Sequence, residues 1–375
     1  MKIIRMSTVG LSLDIFCRGL LGELSSEGYD VVALSSPDAS LARLGKREGV
    51  RTVGVEMSRS ISPLSDLVSL WRLVRVMRRE RPDMVHTVTP KAGLLGMLAA
   101  RMARVPVRVH TFTGLLFPTA TGFRRRLLMT TDRLTCMAAT HIVPEGEGVK
   151  ADLISGHITR KPLRVLGYGN VRGVDLGHYH TSPAIDAEAA RLRRNLGIPE
   201  GARVFTFVGR LVGDKGLREL IAAIRGLGCH LVLAGAPEGG ADDIPETLLR
   251  SDPHIHLSDG WVDDVRPWLA MADALVFPSY REGFPNVVLE AGAMERPAIV
   301  TDINGSREII TPGVNGLVVP PRDTDALRDA MKRFLSLSPG EVRRMGIAAR
   351  ENVVRKFSQR YVRDCLKQFY REILC

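Results

Sequence analysis

KIIRMSTVGLSLDIFCRGLLGELSSEGYDVVAL, residues 2–34, opens the chain. Its apolar run 2–6 reads as a buried strand and the small residues 7–12 as a loop. A helix follows over 13–27, and a second strand over 30–34 after Gly28. Two strands separated by one helix make a βαβ unit, the connection that a parallel strand pair needs.

The same grammar continues outward. The pattern predicts a helix over 64–79, a strand over 84–86, a helix over 92–102 and a strand over 107–111. The glycine-rich GYGNVRGVD, residues 167–175, interrupts it, and a helix-prone AEAARLRRNLGI leads into a fresh strand over 204–208. Strands are then expected over 230–234, 255–257, 274–277 and 297–301. The helices between and after them are read over 216–226, 265–271 and 287–294. Beyond Pro339 the amphipathic pattern predicts two helices broken at Phe357 and Ser358. A chain of 375 residues exceeds what one core usually organises. The expected class is therefore α/β with two Rossmann-like parallel-sheet domains, 1–175 and 176–357, followed by a terminal helix over 358–375.

Composition narrows the function classes. With 45% apolar and 25% charged residues, the chain has ordinary globular composition. Five scattered cysteines, Cys17, Cys136, Cys229, Cys365 and Cys375, form no CxxC pair and read as reduced cytosolic thiols. The first thirteen residues are too soon interrupted by charge to be a signal-peptide core, and the best apolar run, residues 92–100, is too short to span a bilayer.

The net charge of +11 is unevenly placed: residues 1–180 hold 26 Lys and Arg against 15 Asp and Glu, whereas residues 181–375 hold 26 of each. Much of the excess is clustered in Arg72, Arg75, Arg78, Arg79 and Arg81, and again in Arg124, Arg125 and Arg126, each beside apolar residues. Such clusters suit an anionic lipid surface, although a solvated helix face would carry the same pattern. The 5% aromatic content and the lack of any nucleic-acid signature argue against nucleic acid.

In open α/β sheets, ligands gather beyond the carboxyl ends of strands. After the strand 204–208 comes GRLVGDKG, which sets Gly209, Arg210 and Lys215 on a loop before a helix, a pair of cations suited to a diphosphate or to plain surface charge. After the strand 274–277 comes PSYREGFPNVVLEAGA, where Pro285 can start a helix. Glu282 then lies in the loop and Glu290 on the helix, so two carboxylates could address two parts of one ligand. Alternatively, Glu282 favours the helix N-terminus and Glu290 is a solvated helical residue. Asp323-Thr324-Asp325 has the spacing of a metal-binding pair but precedes ALRDAM and reads as a helix N-cap. Gly167, Gly169 and Gly173 miss the dinucleotide spacing, and His86 reads as a packed or capping histidine.

The segments GRLVGDKG, GWVDDV, FPSYREGFPNVVLEA, DINGSREII and GVNGLVVPP, in this order, resemble the donor domain of family-4 retaining glycosyltransferases of the GT-B fold. HTFTGLLFPT at 110–119, FRRRLL, GYGNVRGVD and EGFPNVVLEA are similar to bacterial enzymes that add an N-acetylhexosamine, such as GalNAc, to undecaprenyl-diphosphate-linked sugars.

The resemblance implies two domains facing a cleft, with the terminal helix returning to the first. By the same resemblance Arg210 and Lys215 bind the donor diphosphate, Glu290 the ribose hydroxyls and Glu282 the transferred sugar. The amides of Gly283 and Phe284, with Asn286, face sugar and phosphates, and Val287 packs beside the ribose. Trp261 and Val262 meet the base. Gly10, in the first small-residue loop, stands near the phosphates, and His110 approaches the donor sugar.

The expected function is thus transfer of a sugar from a UDP-sugar to a polyprenyl-diphosphate-linked glycan, with retention and without metal or other cofactor, at the inner face of the cell membrane. A nucleotide-sugar epimerase or hydrolase on the same fold, or a non-catalytic membrane-binding scaffold, are the alternatives.

Overall fold

The computed structural model describes residues 1–58 and 62–374. Cys375 lies outside the described residues; Cys17, Cys136, Cys229 and Cys365 are free thiols. The chain divides into two compact units, one of residues 1–172 with 360–375, the other of residues 173–359.

The first unit runs β1 (Lys2–Val9), α1 (Gly10–Cys17), α2 (Leu20–Ser26), β2 (Asp30–Ser36), α3 (Ala39–Glu48), β3 (Arg51–Gly54), α4 (Pro63–Glu80) and β4 (Met84–Val88). It continues through α5 (Pro90–Met102), β5 (Val107–Phe112), α6 (Gly122–Ala138), β6 (His141–Pro144) and α7 (Glu147–Ser155). Among the described residues its six strands form one parallel sheet in the order β3-β2-β1-β4-β5-β6. Buried on both faces, the strands read as near-continuous apolar runs. One side of the sheet packs Ile4, Met6 and Val85 against Leu73, Leu95 and Met97, and the other packs Ile3 and Met84 against Leu13, Leu21 and Leu24.

The opening βαβ unit departs from the expectation in two ways. β1 extends to Val9, so Gly10 is the first residue of α1 and not part of a loop. The single helix expected over 13–27 is two helices, because the chain bends at Arg18 and Gly19 takes a left-handed φ of 74°. Glycine adopts that φ without the strain a side chain would bring, and the Arg363 guanidinium packs where a Cβ would stand.

The second unit runs α8 (Pro183–Asn195), β7 (Val204–Val208), α9 (Leu217–Ile224), β8 (His230–Ala234), α10 (Glu246–Leu249), β9 (Ile255–Leu257), α11 (Arg266–Ala270) and β10 (Ala274–Phe277). α12 (Asn286–Ala293), β11 (Ala298–Thr301), α13 (Ser306–Ile309), β12 (Gly316–Val319), α14 (Thr324–Leu335) and α15 (Pro339–Phe357) complete it. Its parallel sheet has the order β12-β11-β10-β7-β8-β9, which repeats the first sheet's strand sequence. Asp323 caps α14 by accepting from the Ala326 amide at 2.9 Å, the role its spacing predicted.

At Ser358 the backbone is extended and bonds to Val174, through Val174 N–H to Phe357 O and Gln359 N–H to Val174 O, both 2.8 Å. The last helix, α16 (Gln359–Leu374), then joins the first unit. There Leu366, Phe369 and Tyr370 enter the core beside Leu13 and Leu20, and Lys367 bridges Glu23 and Glu27 at 3.2 Å each.

Candidate functional site

Both sheets reverse their winding direction at one place, and ligands bind at such switch points. In the second unit the switch lies between β7 and β10, so the loops after these strands are neighbours. They are GRLVGDKG and PSYREGFP.

The two loops clasp each other. The Tyr280 amide donates to Asp214 O at 2.9 Å, and Gly216, at φ 69°, sits so close to β10's exit that a Cβ would lie 2.1 Å from Pro278 O. This approach puts the Lys215 ammonium 2.5 Å from Glu282 Oε1, with the Ser279 hydroxyl donating to the same oxygen at 2.7 Å. Lys215 also lies 5.5 Å from the Phe277 ring centroid. Its side chain is 11% exposed and that of Glu282 18%, so the pair is largely withdrawn from water yet reachable.

The remaining donor-side candidates fall around this pair. Arg210 is more exposed and forms an ion pair with Glu238 on the loop after β8. Gly235 lets that loop approach Gly209: a Cβ on Gly235 would lie 1.8 Å from Gly209 O. Asn286 and Val287 open α12 and are half-buried. Glu290, one turn on, is 7% exposed, which overturns its reading as a solvated helical residue. Gly283 is buried, and the Phe284 side chain belongs to the core, 5.4 Å from the Phe357 ring, leaving its backbone as the part that a ligand could use. Gly305 holds this loop from the far side, because a Cβ there would meet Gly283 O, Phe284 Cα and Pro285 Cδ at 2.7 Å each. Trp261 follows β9 and is 69% exposed, and Val262 beside it packs against the core.

In the first unit the switch point lies between β1 and β4. Gly10 stands there, but its amide already donates to Asp38 Oδ2 at 2.9 Å, and a Cβ would lie 2.1 Å from Asp38 Oδ1. Its glycine identity serves the packing of α1 on α3, and its N–H is not offered to a phosphate.

His110, on β5, is 2% exposed, pairs with Thr87 Oγ1 at 2.8 Å and stands edge-on to Phe112. Burial holds its pKa down at about 3, so the ring is neutral near pH 7. It lines a small pocket with Thr113, Gly114 and Asp132, whose carboxyl burial pushes up to about 7. His86 is a packed histidine, 2.6 Å from Tyr370 Oη and 2.7 Å from Thr111 Oγ1, and burial beside Arg5 keeps it neutral.

Helix α4 has two apolar stripes. Leu73, Val74 and Met77 are buried, while Leu64, Leu67, Val68 and Trp71, spaced 3, 1 and 3 apart, are exposed. Arg72, Arg75, Arg78 and Arg79 are exposed on the same helix, with the Arg75 guanidinium 4.7 Å over the Trp71 ring. At the start of α6, Phe123 is 81% exposed beside exposed Arg124, Arg125 and Arg126. No helix among the described residues is long and apolar enough to cross a membrane, and no three His, Cys, Asp or Glu side chains among them cluster to hold a metal ion.

Sequence reasoning missed Ser279 and Asp214, which lock the clasp, Thr89 and Lys91 at the first unit's switch point, and Asp132 in the His110 pocket. TVTPK, residues 87–91, carried the signal as a strand end running into a proline-started helix, but strand order was needed to see it as a site.

Comparison with known proteins agrees with this geometry. Residues 15–169 match the model of the glycosyl transferase 4-like domain and residues 202–336 that of glycosyl transferases group 1. A capsular polysaccharide biosynthesis glycosyltransferase, CapM, of Staphylococcus aureus is 28% identical over 100% of this chain and 97% of its own. The UDP-Gal:alpha-D-GlcNAc-diphosphoundecaprenol alpha-1,3-galactosyltransferase of Escherichia coli is 28% identical over 74% of this chain and 72% of its own. Among solved structures, Anabaena Alr3699/HepE in complex with UDP-glucose superposes with a TM-score of 0.81 at 18% identity, covering 99% of this chain and 100% of that one. With two sheets of the same strand order, a glycosyl transferase 4-like half and a glycosyl transferases group 1 half, the protein is a glycosyltransferase of the GT-B fold.

Proposed function

We propose that the protein transfers a sugar, an N-acetylhexosamine such as GalNAc, from a UDP-sugar to a polyprenyl-diphosphate-linked saccharide, with retention of anomeric configuration, during assembly of a bacterial surface polysaccharide or glycan. The observation that carries this reading is the Lys215–Glu282 pair at the second sheet's switch point, a reachable cation and carboxylate joined at 2.5 Å. Lys215 and Arg210 take the donor diphosphate, Glu290 the ribose diol, and Trp261 and Val262 the base. Val287 packs beside the ribose. Glu282, the amides of Gly283 and Phe284, and Asn286 hold the sugar, and His110 serves as a neutral hydrogen-bonding group to a sugar.

In the transfer, the acceptor hydroxyl oxygen bonds to the sugar's anomeric carbon as that carbon's bond to the β-phosphate oxygen breaks. The electron pair leaves with UDP and the hydroxyl proton passes to the departing phosphate oxygen. Lys215 and Arg210 offset the charge that grows on this oxygen, which is where fixed cations lower a barrier most. The reaction so written calls for no metal.

The acceptor class is supported by the exposed apolar and arginine-rich faces of α4 and α6, which fit an anionic membrane surface at the inner leaflet. The names of the S. aureus and E. coli relatives, with capsular polysaccharide and a diphosphoundecaprenol acceptor, point the same way, and the bound UDP-glucose of the Anabaena structure supports the donor.

The test is incubation with membrane lipids and a panel of labelled UDP- and GDP-sugars. Label from one UDP-sugar should enter the lipid fraction. UDP released equally fast with and without lipid-linked acceptor would replace this reading with a hydrolase or epimerase.

A further inference from the structure

One large space in the first unit has no role in the chemistry above. It is a cavity of about 370 Å³ at that sheet's switch point, walled by Leu94, Leu95, Leu116, Leu127 and Leu128. Thr8, near the end of β1, and Thr89, which follows β4, also line it. Where the wall turns polar, Lys91 and Asp66 pair at 2.7 Å, with side chains 13% and 19% exposed.

Two features mark this space as more than loose packing. Protein interiors hold few voids larger than a water molecule, whereas ligand pockets begin at about 300 Å³. Thr89, moreover, has φ 71° and ψ 143°, a conformation that costs a β-branched residue on the order of 1–3 kcal/mol. Its hydroxyl is fixed there, accepting from the Thr8 amide at 3.1 Å and lying 2.9 Å from the Thr8 hydroxyl. Strain held by surrounding structure at a switch point is characteristic of a binding site.

The shape and chemistry of the walls select the occupant. An apolar cavity of about 150 Å³ holds a six-carbon ring, so 370 Å³ holds on the order of fifteen carbons, or three five-carbon isoprene units. The polar edge carries the Lys91 ammonium, placed by Asp66, whose other oxygen accepts from the Ser62 amide at 3.3 Å. The helices that supply Asp66, Leu127 and Leu128 are those that expose Trp71, Arg75, Phe123 and Arg124. The smaller pocket containing His110 and Asp132 shares Thr89, Leu116, Leu128 and Thr131 with the cavity, so the two spaces adjoin.

We propose that this cavity seats the diphosphate-proximal isoprene units of the acceptor, with Lys91 meeting the diphosphate and the saccharide directed toward the His110 pocket. The inference rests on the polyprenyl-linked acceptor argued above and adds the place where that lipid is held. It makes the enzyme a reader of the carrier as well as of the sugar, since a straight-chain lipid lacks the branched methyl groups that the leucine walls can grip.

Farnesyl diphosphate, fifteen carbons with a diphosphate, is the probe. It should bind the full-length protein saturably by equilibrium dialysis, inorganic pyrophosphate alone should bind far more weakly, and a photoreactive farnesyl diphosphate should label peptides of α5 and α6. Leu94→Trp, which fills the cavity, should weaken farnesyl diphosphate binding more than tenfold while leaving UDP binding unchanged. Lys91→Gln should weaken it about tenfold and leave farnesol binding unmoved. Labelling of the wild-type protein needs no variant to fold. Labelling elsewhere, or no saturable binding while the enzyme still glycosylates lipid-linked acceptor, overturns the cavity assignment and leaves the transferase reading standing. If no lipid-linked acceptor is glycosylated at all, the functional reading fails, and saturable farnesyl diphosphate binding would then support the cavity by itself.

Discussion

Consider the clasp between Lys215 and Glu282. At 2.5 Å and an effective dielectric constant near 20, the gross Coulomb attraction is about 7 kcal/mol. Withdrawing both groups from water offsets most of it, because side chains only 11% and 18% exposed have lost much of their hydration. The net worth of the pair is then about 2 kcal/mol, whereas stranding one member costs about 3 kcal/mol.

Lys215→Met should therefore cost about 3 kcal/mol in urea unfolding. Glu282→Gln, which keeps a Ser279 partner, should cost about 2, and the double variant little more than either single change. Catalysis should separate the two partners' roles. Lys215→Met should lower kcat/KM about 10²- to 10³-fold, because the leaving diphosphate loses its cation, an effect that stability loss alone does not produce in a protein still folded at the assay temperature. Additive stabilities within about 0.5 kcal/mol would refute the pairing, and an unchanged kcat/KM in a folded Lys215→Met protein would refute the placement of the donor site.

Other consequences follow from burial and backbone geometry. His110 is held neutral down to about pH 3, whereas an unfolded histidine protonates near 6.5, so stability should fall as pH drops from 6.5 toward 3, by about 4–5 kcal/mol in all. His110→Gln should flatten that part of the pH–stability curve in equilibrium unfolding. Asp132 titrates at about 7 in the fold against 3.8 unfolded, so the folded state binds the extra proton between those values and stability declines as pH rises through them. Asp132 keeps some solvent contact, so Asp132→Asn should melt later than wild type at pH 8, by about 2 kcal/mol, and match it near pH 4. Gly216→Ala should destabilise by about 2 kcal/mol or more and lose activity, because the new Cβ would force apart the loops that bring Lys215 to Glu282. A normal melting curve in that variant would show that the two loops do not depend on the close approach of Gly216 to Pro278.

Much of this was legible without coordinates. Periodicity located most of the strands, because parallel strands buried on both faces are continuous apolar runs such as VFTFV and ALVF. It failed where local signals are weak. The helix break coincides with the left-handed φ of Gly19, and the Arg363 guanidinium packed against it comes from 344 positions away in sequence. The family resemblance placed Gly10 near the phosphates, and in the fold its N–H is taken by Asp38. Glu290 could be a ribose ligand or a solvated helix residue on sequence alone, and its 7% exposure removes the second reading.

The sequence by itself determined the two parallel sheets, the chemistry of the two loops and the basic first half, since strand patterning, turn residues and charge are local properties. EGFPNVVLE and GRLVGDKG supplied a carboxylate and a cation but could not pair them, being 67 positions apart between Lys215 and Glu282. Strand order made them neighbours, because β7 and β10 are adjacent at the switch point although two strands intervene in the chain. The cavity of the first unit is likewise a property of tertiary structure alone: Leu94 and Leu128 look like ordinary core leucines in sequence, and only the packing of α4, α5 and α6 leaves a space between them.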